Sequence, residues 1–399
     1  MSAPQVDRRS APSRWTRRAI GLVGLLVLMI GLASCGDENL PLNTLDPQGP
    51  QAQEIQDLII PVFIVAGIVF VLVEGAVLFL ALRFRRRKHH EDGNDEPVQI
   101  HGNSRLEWTW TIGPAVILAV LAVFNIRTLW NLEDAQADAT QHIEVVGQQW
   151  WWEFRYDVDN DGKFDIITAN QMVMPTGVTI GLRIRSNDVI HSFWIPALNG
   201  KKDAVPGRIH GLAITADKPG IYQGQCTEYC GLSHGYMRME VKALAPDDFD
   251  EWVDNQLEGP VEPADGSTAA EGKEVFFSTC ASCHQINGYD ASGESTGSDV
   301  PDDDYQGPEI PLLSDNAPNL THLMSRDRFA GNMFPLWEPG AELDGVEPVG
   351  TPDAGEIARW LRDPPAMKPM NPDQNAGMPN LNLSQEQVEQ LTAFLTTLK

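Results

Sequence analysis

Two long apolar runs dominate the pattern of this chain. From Leu58 to Leu82 nearly every residue is apolar, and a second run covers Ile112 to Leu129, with Trp110 and Trp130 at its ends. As helices rising about 1.5 Å per residue, both are long enough to cross a hydrocarbon core of roughly 30 Å. A shorter run, Ile20 to Leu32, follows Arg8, Arg9, Arg14, Arg17 and Arg18 and stops at Ala33 and Ser34, which predicts a secretory signal over residues 1–34 and a linker over 35–57. Past residue 132 the period changes. Between His142 and Leu244, short stretches such as Ile143–Val145, Val178–Ile184 and Met237–Val241 alternate at period two and are separated by turn signals, Asp159-Asn160-Asp161-Gly162 among them. This predicts an all-β sandwich or small barrel over 137–246. Asp159 to Asp165 lacks the helical flanks and the late Glu of a calcium loop, so we read it as a hairpin turn. Residues 247–268 read as an acidic linker with a short helical stretch near Phe249–Trp252. From 269 to 399 the period becomes helical, over Glu271–Phe277, Ala354–Leu361 and Gln385–Leu398, with a polar loop between Asn287 and Pro311.

Charge orients the apolar runs. Arg83-Phe84-Arg85-Arg86-Arg87-Lys88 lies between them and belongs on the cytoplasmic side. The expectation is a transmembrane hairpin over 58–132, with a cytoplasmic loop at 83–109 and everything after about residue 132 outside. Glu74, inside the first span, reads as a contact to a neighbouring subunit. Lys and Arg number 29 against 55 Asp and Glu, a net charge of -26. That excludes a nucleic-acid partner, which needs a basic face. It suits a soluble part that meets a basic protein or simply stays in solution.

The five cysteines, Cys35, Cys226, Cys230, Cys280 and Cys283, each sit in a motif, so no structural disulfide is expected. Leu32-Ala33-Ser34-Cys35 resembles a bacterial lipoprotein cleavage site, which implies lipid on Cys35. Cys226-Thr227-Glu228-Tyr229-Cys230-Gly231-Leu232-Ser233-His234-Gly235-Tyr236-Met237 offers two thiols, an imidazole and a thioether in one loop, with His191 upstream. Soft sulfur with imidazole selects copper, and two thiolates can bridge two metals. A Cys2His2 zinc site and a Cys226–Cys230 disulfide are the alternatives; neither uses Met237. Cys280-Ala281-Ser282-Cys283-His284 is the attachment signature of a c-type haem. Its sixth ligand is expected to be a methionine, Met378 in Gly377-Met378-Pro379-Asn380, with Met367, Met370, Met324 and Met333 as rivals.

The copper loop, the apolar hairpin before it, His191-Ser192-Phe193-Trp194-Ile195-Pro196, Lys202–Arg208 and Gln149-Trp150-Trp151-Trp152 together resemble cytochrome c oxidase subunit II, here with a cytochrome c fused at its C-terminal end. The resemblance implies a multi-domain membrane protein: a two-helix transmembrane hairpin, a cupredoxin-like Greek-key β-sandwich and an all-α cytochrome c domain. It implies a dinuclear copper centre (CuA, two Cu) held by His191, Cys226, Cys230, His234 and Met237 and the backbone carbonyl of Glu228. The Glu228 carboxylate would also reach a magnesium at the junction with subunit I. One covalent haem c would be held by Cys280, Cys283, His284 and Met378. Trp150 becomes the point at which electrons reach copper, Trp151 a packing residue, and Glu107 an acid opening a proton channel into subunit I. The implied activity is electron delivery to subunit I for reduction of oxygen to water with proton pumping. The implied partners are subunits I and III, a cytochrome c or bc-type complex as donor, and membrane lipids, at the bacterial cytoplasmic membrane. The alternatives are the CuA subunit of a nitric-oxide reductase and a membrane-anchored copper and haem redox carrier. An intact ligand loop speaks against a quinol oxidase.

Overall fold

The structure is a computed structural model, and it describes residues 24, 40–84, 102–289, 293, 317–374 and 376–399. Cys35, most of the signal and most of the acidic loop after Asn287 lie outside the described residues.

Helix α1 spans Pro50–Arg83 and helix α2 spans Ser104–Ala137, 34 residues each, and both are long and apolar enough to cross a membrane. At about 1.5 Å per residue each measures roughly 51 Å, well beyond a ~30 Å hydrocarbon core. The excess lies partly at the start of α1, which begins at Pro50 and not at Leu58. Residues 50–57 are polar outside but anchored within: Gln51 is 4% and Ala52 6% exposed. Gln51 Nε2 donates to Thr215 Oγ1 at 3.1 Å, and the Ala52 amide donates to the Leu198 carbonyl. Gly49 is needed just before α1 because a Cβ there would lie 1.9 Å from the Thr215 carbonyl oxygen. Asn131, late in α2, reaches Glu54, early in α1, at 3.3 Å, so the two helices run antiparallel. The N-terminus of α2 is capped by Asn103, whose side chain accepts from the amides of Arg105 and Leu106.

The β-sandwich follows. Strands β1 (Gln141–Gln148), β2 (Trp151–Tyr156), β3 (Ile166–Ala169), β4 (Gln171–Pro175), β5 (Ile180–Ser186), β6 (His191–Phe193), β7 (Lys202–Ala204), β8 (His210–Ile214), β9 (Gly220–Gln225) and β10 (Arg238–Leu244) appear in that order. One sheet runs β3-β2-β1-β5-β8, the other β4-β10-β9, and β6 pairs with β7. β1 runs parallel to β5, with Val145 opposite Ile184, and β4 runs parallel to β10. Parallel neighbours need crossovers, so strands distant in sequence meet. The core between the sheets holds Val145, Trp152, Phe154, Met172, Leu182, Phe193 and Met239, all fully buried. The acidic turn at 159–162 joins the antiparallel pair β2 and β3, as a hairpin.

The stretch read as a linker at 247–268 is structured in its first half. Helix α3 (Pro246–Leu257) puts Phe249, Trp252 and Val253 on one face. Trp252 and Val253 are buried in the sandwich core, and Trp252 meets the Tyr156 ring with centroids 5.3 Å apart. Apolar residues at i, i+3 and i+4 make a helix face worth burying, and that overrides the acidic composition.

The last domain contains helices α4 (Thr268–Thr279), α5 (Ala354–Arg362), the short α6 (Pro364–Met367) and α7 (Gln385–Leu395), plus a two-stranded hairpin at Arg328–Phe329 and Phe334–Pro335. α4 and α7 cross at Gly272, where a Cβ would stand 2.0 Å from the Gln390 carbonyl oxygen. Phe276 and Phe394 pack beside that crossing. A capping box starts α7: Ser384 Oγ accepts from the Gln387 amide and Gln387 Oε1 from the Ser384 amide.

This domain is docked on the sandwich through buried polar groups. Glu240, 1% exposed, accepts from Gln171 Nε2, Gln223 Nε2 and Asn332 Nδ2 at 2.7–2.9 Å. Lys242 on β10 faces Asp327 at 3.7 Å, both side chains 2% exposed. α3 joins in: Gln256 Nε2 donates to Ser325 Oγ, and His322 Nε2 donates to the Gln256 carbonyl. Burial pushes the Asp327 carboxyl up to about 7 and the Lys242 ammonium below its ordinary range, so burial outweighs their mutual attraction. Lys242→Met should therefore cost about 3–5 kcal/mol, because it strands a buried carboxylate, whereas Lys242→Met with Asp327→Leu should recover most of that. Unfolding of the whole chain in detergent, followed by circular dichroism, checks both.

Candidate metal and haem sites

The loop from Cys226 to Met237 is held between three strands. His191 opens β6, Cys226 follows the last residue of β9, His234 starts a single 3-10 turn, and Met237 immediately precedes β10. The loop is zipped to its neighbours: the Cys226 amide donates to the Met237 carbonyl at 3.0 Å and the Thr227 amide to the Ser192 carbonyl at 3.1 Å. The residues named from the sequence meet here. Cys226 and Cys230 sulfurs are 3.8 Å apart, Met237 Sδ is 3.8 Å from Cys230 Sγ, and His234 Nδ1 is 3.5 Å from Cys230 Sγ. The Glu228 backbone oxygen lies 3.3 Å from Cys226 Sγ, which puts its carbonyl, not its carboxylate, at the sulfurs. Ligand atoms of His191, Cys226 and Cys230 all lie within 4.8 Å of one another.

The donor set fits a copper pair. Both cysteines are free thiols, and their separation is well beyond the ~2.05 Å of a disulfide. His191 Nδ1 is buried without a hydrogen-bond partner, while Nε2 bonds Asp188 Oδ1 at 2.7 Å. A buried imidazole nitrogen with its other nitrogen on a carboxylate is the arrangement of a metal-binding histidine. The Cys226 and Cys230 sulfurs are in contact with each other. That holds Cys226 down to about 4 against its burial, and it pushes Cys230 up. Asp188 was not singled out in the sequence; its spacing, three residues before His191, is the only local signal for it.

Trp150 adjoins this loop and is 1% exposed. Its indole Nε1 donates to the Cys230 carbonyl at 3.0 Å, and Gln149 Nε2 donates to the same oxygen at 2.6 Å. The Gln149 amide donates to Asp188 Oδ2 at 2.7 Å. Residues 149–150 therefore bridge the cysteine loop and the His191 side.

On its other side Trp150 lines a cleft of about 1410 Å³, open mouth included. Cys280, Cys283, His284 and Met378 line the same cleft, with Phe276, Leu391 and Leu395 as an apolar floor and Trp151 beside Trp150. The fit to a c-type haem rests on three features. Cys280 caps α4 and Cys283 follows within one turn, so both thiols face one cleft. His284 Nδ1 donates to the Pro318 carbonyl at 2.8 Å, which leaves Nε2 for iron. Burial pushes His284 below its ordinary range and keeps the imidazole neutral, the ligand form. Met378 lines the cleft and the four rival methionines do not; its sulfur accepts from Trp360 Nε1 at 3.1 Å.

Glu107 stands apart from both sites. It lies exposed in the first turn of α2, where its Oε1 accepts from the Asn103 amide at 3.1 Å. From Asn131, beside Glu54, it is 24 residues back along α2, roughly 36 Å at ~1.5 Å per residue.

Comparison with known proteins agrees with this division. Residues 38–128 match the cytochrome c oxidase subunit II transmembrane domain, 141–244 its periplasmic domain, and 269–399 cytochrome c. Cytochrome c oxidase subunit 2 of Alkalihalophilus pseudofirmus is 35% identical over 385 residues, 94% of this chain and 96% of that protein. Its counterpart from Bacillus sp. strain PS3 is 31% identical over 395 residues, 96% of this chain and 97% of that protein. The solved periplasmic domain of subunit II of cytochrome oxidase from Bradyrhizobium japonicum is 30% identical, covering 30% of this chain and 94% of that one, with a TM-score of 0.28. With its two apolar helices, copper-type ligand loop and haem-attachment cleft, this chain belongs to the cytochrome c oxidase subunit II family and carries a cytochrome c domain at its C-terminal end.

Proposed function

We propose that this chain takes single electrons through its own haem c, passes them to a dinuclear copper centre and delivers them to oxidase subunit I, where oxygen is reduced to water and protons are pumped. One observation carries the internal part of the reading: Trp150 touches the cleft of one site and the backbone of the other. When bound, the copper pair and the haem each supply a one-electron centre. The chain's residues hold and separate them. His191, Cys226, Cys230, His234, Met237 and the Glu228 carbonyl would hold the copper pair; Cys280 and Cys283 would carry the haem covalently, with His284 and Met378 on its iron. Trp150 fills the space between, excludes water from it, and keeps its ring fixed by the bond to Cys230. Buried and covered by the haem domain, Trp150 serves an internal path and not a docking partner from solution.

The same reading extends to the rest of the chain. Both apolar helices cross the membrane, Glu107 faces the cytoplasmic side as the acid leading into subunit I, and Cys35 carries lipid after signal cleavage. The Glu228 carboxylate contributes to a magnesium site at the subunit I junction. A cytochrome c or bc-type complex is the donor, and subunit III accompanies subunit I.

Three measurements test it. The oxidised protein should give a mixed-valence, two-copper electron paramagnetic resonance signal; a one-copper signal or zinc by elemental analysis overturns the copper assignment. Met378→Ala should remove the methionine-to-iron charge-transfer band and lower the haem potential; survival of the band hands the role to another methionine. Trp150→Ala should slow copper reduction by photoreduced haem roughly tenfold or more, with both metal spectra intact. An unchanged rate makes Trp150 a packing residue.

A further inference from the structure

The haem domain reaches the copper loop through a segment whose backbone is unusual. Ala330, Gly331 and Asn332 are three consecutive residues with φ of 54°, 79° and 60°. Two of them are not glycine, and left-handed backbone is disfavoured at such residues. That cost is met by what the segment touches. The Gly331 carbonyl accepts from the Arg238 amide at 3.0 Å, one residue past the copper ligand Met237. Asn332 Nδ2 donates to the buried Glu240. Gly331 is wedged so closely that a Cβ would lie 2.3 Å from the Tyr236 carbonyl oxygen, 2.5 Å from Lys368 Nζ and 3.1 Å from the Trp150 carbonyl oxygen.

Lys368 closes the arrangement. It caps α6, lines the haem cleft, and donates from Nζ to two backbone carbonyls, those of Trp150 in the sandwich and Ala330 in the haem domain. Among the described residues it has no carboxylate partner within ion-pair distance. Next to it, Ser233 Oγ donates to the Pro369 carbonyl, which ties the copper loop to the residue after Lys368. Lys368 is half-buried, and its hydrogen-bond partners are carbonyls and not a counter-ion. Two of its three donors are taken by carbonyls, one from each domain.

We propose that Lys368 and the left-handed segment Ala330-Gly331-Asn332 form an interdomain clamp that positions Trp150 for transfer between the haem and copper sites. Lys368 is a positioning residue: it acts through the Trp150 carbonyl and the Ala330 carbonyl, and it touches neither metal. Trp150 is thereby held from both ends, its indole by the Cys230 carbonyl and its backbone by Lys368. The clamp rests on the relay reading given above, since it has a function only if Trp150 lies on the electron path.

The test uses the assembled, metal-loaded oxidase. Lys368→Met keeps the length of the side chain and removes all its donors. Lys368→Arg keeps donors and charge, and serves as the rescue. Gly331→Ala attacks the clamp from its other half, through both φ and the missing space. Two quantities are read: hydrogen exchange in peptides covering 236–241 and 328–334, and the flash-induced rate of copper reduction by haem. Lys368→Met and Gly331→Ala should expose the Arg238 amide to faster exchange and slow the transfer roughly tenfold, with the optical and resonance spectra of both centres retained. Lys368→Arg should recover part of both. If protection and rate are both unchanged in Lys368→Met, there is no clamp. A slower rate with full protection is also against it, because Lys368 would then act through its charge alone. Faster exchange with an unchanged rate overturns the positioning role of the clamp, and Trp150→Ala tests the relay separately.

Discussion

The buried indole of Trp150 needs a hydrogen-bond acceptor, and the one it has is the carbonyl of Cys230. A buried N–H left unpaired costs about 1–3 kcal/mol, so this bond fixes the ring relative to the cysteine loop. The preceding residue extends the coupling. Gln149 donates from its side chain to the same carbonyl and from its amide to Asp188, which in turn orients His191. Gln149 therefore touches both the cysteine loop and the His191 side, and Trp150 the cysteine loop. The haem cleft is built against the opposite side of Trp150, so the relative placement of the two sites follows from how this dipeptide is held.

The contact between the haem domain and the sandwich is polar at its centre. Glu240 accepts from three side-chain amides, one of them from the haem domain, and Lys242 and Asp327 are paired without solvent. An apolar contact tolerates sliding, whereas a carboxylate with three directional donors does not. The Lys242–Asp327 pair adds little to stability because burial opposes both charges. At 3.7 Å it is a longer contact, and the directional bonds at this docking are those to Glu240. Helix α3 reinforces this docking, packing Trp252 and Val253 into the sandwich and bonding Ser325 and His322 through Gln256.

The membrane hairpin follows a similar logic. Continuation of α1 outward to Pro50 lets Gln51 and Ala52 bury against the β6–β9 side of the sandwich through Thr215 and Leu198. Helix α1 and the sandwich are thus joined by both backbone and side-chain hydrogen bonds. Glu107 sits at the other end of the hairpin, where the helix N-terminus stabilises a carboxylate.

Much of this molecule was legible in the chain itself. The apolar runs have the length of membrane helices, the alternation from 142 to 244 has the period of strands, and both ligand motifs sit within a few bonds of sequence, so local spacing alone brought Cys226, Cys230, His234 and Met237 together, and likewise Cys280, Cys283 and His284. The remaining features depend on long-range packing. Five methionines shared one chemistry, and only the folded chain decides that Met378 lines the cleft while Met324, buried in the same core, does not. The acidic stretch after Pro246 carried the composition of a linker, yet Trp252 and Val253 find a core to enter. Asp188, Lys368 and the segment Ala330–Asn332 carry no motif; they matter because tertiary structure sets them against His191, Trp150 and Arg238. Sequence by itself determined the elements and the donor sets, whose information is local. Tertiary structure decided which groups are buried together, because burial is a property of contacts between segments that the chain order leaves far apart.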